Sequence, residues 1–140
     1  MNRDKLKASL TLHEGRKKFP YLDTEGNLTI GVGHNLDANG LPDQIIDALL
    51  EWDILQASSN LSRYLWAKEL DEVRYRVVVE MMFGLGPQKF AGFKKMIQAL
   101  ADHDYERAAI EMLDSKWATQ VGTRATRLAE MMRTGKDEGE

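Results

Sequence analysis

Apolar residues are sparse over the first dozen positions, and the two that matter, Leu6 and Leu10, are four apart. With Asn2 ahead of them as an N-cap and Gly15 behind as a stop, the spacing predicts a short helix over residues 3–13. From residue 19 to 34 the period changes. Leu28, Ile30 and Val32 alternate with Thr29, Gly31 and Gly33, and the polar cluster Asp23-Thr24-Glu25-Gly26-Asn27 precedes them. That pattern predicts a small β-ribbon around a polar turn, with one apolar face and one slim face. A slim face lets another molecule approach the backbone closely. Asp37-Ala38-Asn39-Gly40 predicts a turn, and Pro42 with Asp43 behind it predicts the opening of the next helix.

Beyond that point the apolar positions recur at helical spacing almost to the end. Ile46, Leu49, Leu50, Ile54, Ala57 and Leu61 form one stripe, and Val73, Val77 and Met81 begin another. Gly84-Leu85-Gly86-Pro87 predicts a break, with further helices at about 90–100, 104–114 and 122–133. The expected fold class is therefore α+β, one domain over residues 1–140 with two lobes. A ribbon lobe is expected at about 15–40 and a helical lobe at about 60–135, which the N-terminal helix joins, leaving a frayed tail at 136–140.

Composition narrows the classes. At 140 residues the chain is long enough to bury a core without a metal or disulfide staple, and it has no cysteine, which excludes thiol nucleophiles and thiolate zinc. Val77-Val78-Val79 is stopped by Glu80, and no apolar stretch approaches the roughly 18 residues a membrane helix needs. The start, Met1-Asn2-Arg3-Asp4-Lys5-Leu6-Lys7, lacks a signal peptide's apolar centre, so synthesis in the cytoplasm without an export signal is expected. The net charge of −3 does not suit a dedicated nucleic-acid binder. It is uneven, though: residues 1–20 carry six basic and two acidic side chains.

No nucleophile elbow, Walker loop, dinucleotide fingerprint or zincin helix occurs, and His13, His34 and His103 lack metal-ligand spacing, so neither a metal nor a cofactor is expected. What remains is a set of carboxylates beside backbone punctuation. Glu14 stands where the first helix meets the ribbon, Asp23 in the ribbon turn, and Thr29 in the strand that follows. Glycoside hydrolysis needs one carboxyl group to protonate the leaving oxygen and a second on the other side of the bond. A helix end facing a hairpin tip can supply such a pair, whereas one helix face cannot.

The full string is more specific. His13-Glu14-Gly15, Tyr21-Leu22-Asp23 and Gly26-Asn27-Leu28-Thr29-Ile30-Gly31-Val32-Gly33-His34 resemble the signature of the phage-type lysozymes. Met82-Phe83-Gly84-Leu85-Gly86, Ala91-Gly92-Phe93, Ser115-Lys116-Trp117 and the run from Arg124 through Gly135 resemble the C-terminal lobe of the same enzymes. The resemblance covers most of residues 5–135. It implies a lysozyme-like fold with a cleft between ribbon and helical lobes, and hydrolysis of the β-1,4 bond between N-acetylmuramic acid and N-acetylglucosamine in peptidoglycan. It implies Glu14 as general acid, Asp23 and Thr29 as the groups that place the water, and inversion at the sugar carbon. Gly33, Phe83, Lys116, Trp117 and Arg124 are expected to bind substrate or support the site, with Arg124 a partner for Glu14. His34 and Asp53 are expected to form a structural ion pair.

Other aromatic and sulfur-bearing positions read as packing: Trp52, Trp66 and Trp117 as core, and Met81, Met82, Met131 and Met132 as core or lobe interface. Glu80 and Gly84 depart from the family, where asparagine is common, the segment after His34 is short, and the charge is acidic where many relatives are basic. Two rivals stand beside the enzyme. A lysozyme fold that grips the wall without cutting would be favoured by loss of Glu14 or Asp23, and both are present. A nucleic-acid binder would use Arg124, Arg127 and Arg133, but Glu130 interrupts that face. The expected partner is the peptidoglycan glycan strand, with no nucleic acid and no stable membrane association. The expected unit is a monomer that reaches the wall after a membrane is opened.

Overall fold

The structure, a computed structural model, describes every residue from Met1 to Gly139. The chain divides into two compact units, Met1–Leu49 and Leu50–Glu140. The division groups the N-terminal helix with the ribbon, where the sequence pattern assigns it to the helical lobe.

In the first unit, α1 runs from Arg3 to Glu14. The Asn2 side chain accepts the Lys5 N–H at 3.0 Å, and Asp4 sits in the positively polarised first turn. Gly15 ends the helix at φ 79°, a left-handed setting natural to glycine, with its N–H on the Thr11 carbonyl at 2.9 Å. Strands β1 (Lys17–Leu22), β2 (Leu28–Gly31) and β3 (His34–Asn35) form an antiparallel sheet in that order. Thr29 is opposite Tyr21 on one side and Asn35 on the other. The β1–β2 register is irregular between Lys17 and Tyr21, where Pro20 brings no N–H to the ladder.

On β2 Thr29 is 3% exposed while Leu28 lies exposed. The hydroxyl has an internal partner, described below, which makes that burial tolerable. The segment expected as a turn is a one-turn helix, α2 (Leu36–Asn39), because Asn35 caps it through the Ala38 N–H at 3.0 Å. Asp37 of α2 accepts the Leu28 N–H at 2.7 Å and so ties α2 to the start of β2.

Helix α3 (Asp43–Leu61) follows Pro42, whose carbonyl takes the Ile45 and Ile46 N–H groups at 3.0 and 3.1 Å. The unit boundary falls within it. The second unit continues through a 3₁₀ turn (Leu65–Glu69) into α4 (Glu72–Ala91), α5 (Lys94–Ala101), α6 (Tyr105–Leu113), α7 (Lys116–Val121) and α8 (Thr123–Thr134). Its core is the apolar stripe of each helix brought together: Val77, Val78, Met81, Met82 and Phe90 from α4, Met96 and Leu100 from α5, Met112 from α6, Leu128 and Met132 from α8. Each such side chain contributes about 1.5–3 kcal/mol relative to leaving it in water. α8 packs chiefly on α6 and also on α4 and α7.

The expected break is a kink. Gly84 stays helical, and the departure is confined to Gly86 (φ 79°, ψ 167°) before Pro87, after which helix resumes. Trp66 and Trp117 are buried as expected, but Trp52 is 59% exposed. The acidic tail, expected to fray, is held at two points: Asp137 pairs with Arg76 at 2.5 Å and Glu138 with Arg127 at 3.2 Å. Glu140, the last residue of that expectation, lies outside the described residues.

Candidate active site

The three residues expected to be catalytic, Glu14, Asp23 and Thr29, fall within the first unit. Glu14 is the last residue of α1, exposed, and immediately precedes the Gly15 stop. After β2 the chain turns through Gly31, Val32 and Gly33, with φ 68° and 66° at the two glycines. This turn brings Gly33 against the Glu14 side chain: a Cβ built on Gly33 would meet Glu14 Oε2 at 2.9 Å and Cδ at 3.0 Å. Gly33 therefore lies against Glu14, where a side chain would not fit.

Asp23 organises the β1–β2 turn. Its Oδ1 accepts the backbone N–H groups of Glu25 at 2.9 Å and Asn27 at 2.8 Å, and its Oδ2 accepts the Asn27 side-chain amide at 3.3 Å. Its own N–H donates to the Asn27 carbonyl at 2.9 Å, and its carbonyl accepts from Gly26 N–H at 3.1 Å. These donors favour the ionised carboxylate. The Asn27 N–H is the strongest influence; desolvation opposes it, but with Glu25, the Asn27 amide and Gly26 the donors prevail and hold Asp23 below the usual carboxylate range. Thr29 donates its hydroxyl to the Asn27 carbonyl at 2.9 Å. Asp23 and Thr29 are thus joined through Asn27, a residue that nothing in its type or spacing singled out.

The other expected residues are set differently. His34 Nε2 lies 2.5 Å from the Gly40 carbonyl, within its own unit. In the second unit, Arg124, expected as a partner for Glu14, directs Nε to Glu80 Oε2 at 3.4 Å. Glu80, the departure from the family's asparagine, thereby supplies the guanidinium with an acidic neighbour one helix away. Phe83 is half-exposed on α4. Lys116 opens α7, capped by Ser115, whose hydroxyl accepts the Ala118 N–H at 3.1 Å. Trp117 is buried and meets the Phe93 ring edge-on at 6.3 Å. Lys116 and Trp117 line an open basin of about 630 Å³ together with Phe93, Lys89, Lys94 and Lys95. Among the described residues no group of three or more His, Asp or Glu side chains is placed to hold a metal ion. No helix among them is long and apolar enough to cross a membrane.

The model of the phage lysozyme family matches residues 11–134, a span that holds Glu14, Asp23, Thr29, Gly33, Phe83, Lys116, Trp117 and Arg124. Two proteins of Dictyostelium discoideum, described as probable T4-type lysozymes 2 and 1, are similar to it at 30% identity over 161 residues and 28% over 160. Each similarity takes in 93% of this chain and 94% of the relative. Both alignments are longer than the chain itself, so the relatives carry stretches that it lacks. Matched over most of its length, the chain belongs to the phage lysozyme family.

Proposed function

We propose that this protein is a muramidase that hydrolyses the β-1,4 bond between N-acetylmuramic acid and N-acetylglucosamine in peptidoglycan. Glu14 acts as general acid, and Asp23 and Thr29 position the attacking water. The observation that carries the reading is the contrast between two carboxylates of one small unit. Asp23 is wrapped in N–H donors that keep it charged. Glu14 rests on the bare backbone of Gly33, and among the described residues of its unit it has no ion pair or hydrogen-bonded donor. Glycosidases divide the work in this way, one group giving a proton while the other stays anionic.

In the reaction, Glu14 gives its proton to the glycosidic oxygen as the bond to the sugar carbon breaks. The growing positive charge on the ring is met by the Asp23 carboxylate. Water adds from the opposite face, and its proton passes to Asp23, which inverts the anomeric carbon. The Thr29 hydroxyl spends its proton on the Asn27 carbonyl, so its lone pairs are what it offers the water.

Phe83, Lys116, Trp117 and Arg124 serve as glycan contacts in this reading. The lysines of the basin, Lys89, Lys94, Lys95 and Lys116, outnumber its carboxylates Glu111 and Asp114 and leave a local positive excess for an anionic wall despite the net charge of −3. A structural His34–Asp53 ion pair remains part of it. Glu14, Asp23 and Thr29 come from one chain, which suits action as a monomer on a wall exposed by an opened membrane.

The test is clearing of outer-membrane-permeabilised Gram-negative cells by native protein and by Glu14→Gln. Clearing that disappears in folded Glu14→Gln supports the reading. Equal clearing by both removes Glu14 from its role, and binding to peptidoglycan without clearing by either replaces hydrolysis with wall recognition.

A further inference from the structure

The β1–β2 turn carries a residue that touches both water-positioning groups. Asn27 gives its backbone N–H to Asp23 Oδ1 and its side-chain amide to Asp23 Oδ2, and its carbonyl takes the Thr29 hydroxyl. We infer that Asn27 is a positioning residue for the hydrolytic water, acting through its side-chain amide on Asp23; this rests on the role proposed above for Asp23.

The division of labour among the three bonds supports the inference. Oδ1 is held by two backbone donors, which any residue at position 27 preserves and which fix where the carboxyl group starts. Because Oδ1 lies off the Cβ–Cγ axis, they also resist rotation of the carboxylate. The amide is the one side-chain donor of the three; it adds a restraint at Oδ2, and Oδ2 is the oxygen with capacity left for a water. A base must present its lone pair along the line of the incoming proton, and a small misorientation is felt strongly in rate. The same amide adds to the donors that keep Asp23 ionised in acid. Thr29 bonds the Asn27 carbonyl, on the far side of the same residue's Cα, so the two groups that face the water are both referenced to Asn27.

Asn27→Ala removes the amide and keeps both backbone bonds, so the turn should still form. Asn27→Asp keeps the shape and replaces the donor by a like charge. The expected order of kcat on a soluble peptidoglycan fragment is native, then Asn27→Ala, then Asn27→Asp, with roughly three- to tenfold lost at the first step. KM stays near its native value. The acidic limb of the kcat profile moves to higher pH in the same order, a change that a merely structural role would not produce. A carboxyl-carbon NMR titration of Asp23 should show its pKa higher in Asn27→Ala than in the native protein. In an Asp23→Asn background, Asn27→Ala should have no further effect on kcat. If Asp23→Asn is as active as native protein, the role of Asp23 is wrong. If Asp23→Asn is inactive while Asn27→Ala keeps the native kcat, acidic limb and Asp23 titration, the inference about Asn27 is wrong and the role of Asp23 stands.

Discussion

Gly33 lies so close to the Glu14 carboxyl group that a methyl at position 33 would overlap Oε2 and Cδ, the built Cβ falling 2.9 and 3.0 Å from them. The atoms in the way are the far end of a flexible side chain, so the fold has an escape: Glu14 rotates off. Relief of the clash and loss of the acid's position are then one event. Glycine is required a second time by φ 66°, a left-handed setting that costs other residues about 1–2 kcal/mol.

Gly31 separates these two effects. Its φ of 68° is equally left-handed, but a Cβ there meets nothing within 4 Å. Gly31→Ala and Gly33→Ala should lose similar stability, about 1–2 kcal/mol each. Only Gly33→Ala should lose more than tenfold in wall-clearing rate. Urea melts beside turbidity assays check this, and equal activity in the two variants would refute the steric role of Gly33.

The position of Glu14 was legible because it depends on local signals, an N-cap, a helical stripe and a terminating glycine, all within a few residues. The Asp23 turn was legible for the same reason. The alternation places Thr29 in its strand but says only which residues share a side, not which side is covered; burial of its hydroxyl depends on the Asn27 carbonyl. The pattern at Asp37–Gly40 predicts a turn and not α2 because one cap from Asn35 decides it, and a four-residue helix has no periodicity to show. Arg124 was assigned to Glu14 by resemblance, while its neighbour Glu80 is contributed by α4, distant in sequence. Pairings between side chains remote in sequence leave no mark in the local pattern.

Arg74 joins three helices of the second unit. Its Nε and a terminal nitrogen donate to the Met132 and Arg133 carbonyls at 2.6 and 2.9 Å, capping the end of α8, while Asp71 takes the other at 3.0 Å. The guanidinium also lies 4.2 Å from the Tyr105 ring centre. Arg74→Met should destabilise by about 2–4 kcal/mol, because two carbonyls lose charged donors and a cation–π contact is lost. Arg74→Lys should recover little, since an ammonium cannot span both carbonyls and stack. Thermal melts of the three proteins decide it; full recovery by lysine would reduce the arrangement to simple charge.

Acid should unfold the protein through a small set of carboxylates. Burial pushes Asp71 up, but the Arg74 N–H, guanidinium bond and charge outweigh it and hold the group low. Glu130 is held low chiefly by its bond to Arg133, against slight desolvation. A group whose pKa is lower in the folded state stabilises above its unfolded value, near 4, and that contribution disappears as pH falls through the folded value. Asp71→Asn should therefore melt below native protein at pH 7, with the gap narrowing below about pH 4. Glu130 is exposed, so Glu130→Gln should show a smaller gap that salt reduces. A gap for Asp71→Asn that stays constant down to pH 2 would mean its carboxylate charge is irrelevant.

Trp66 is 6% exposed, stacked on Phe90 with ring centres 6.5 Å apart and tilted against Tyr64 at 5.1 Å, yet its indole Nε1 is buried with no hydrogen-bond partner among the described residues. Two opposing terms meet in Trp66→Phe. The smaller ring gives up part of the buried area and leaves a void, a loss on the order of 1–3 kcal/mol. Removing an unsatisfied buried donor returns about 1–3 kcal/mol. The variant should melt close to native protein, whereas Trp66→Ala, which deletes the aromatic contacts as well, should lose about 3–5 kcal/mol. Differential scanning calorimetry of the pair measures the nitrogen's share directly. If Trp66→Phe loses nearly as much as Trp66→Ala, the buried indole N–H carries no penalty, and the packing of the larger ring decides stability at this position.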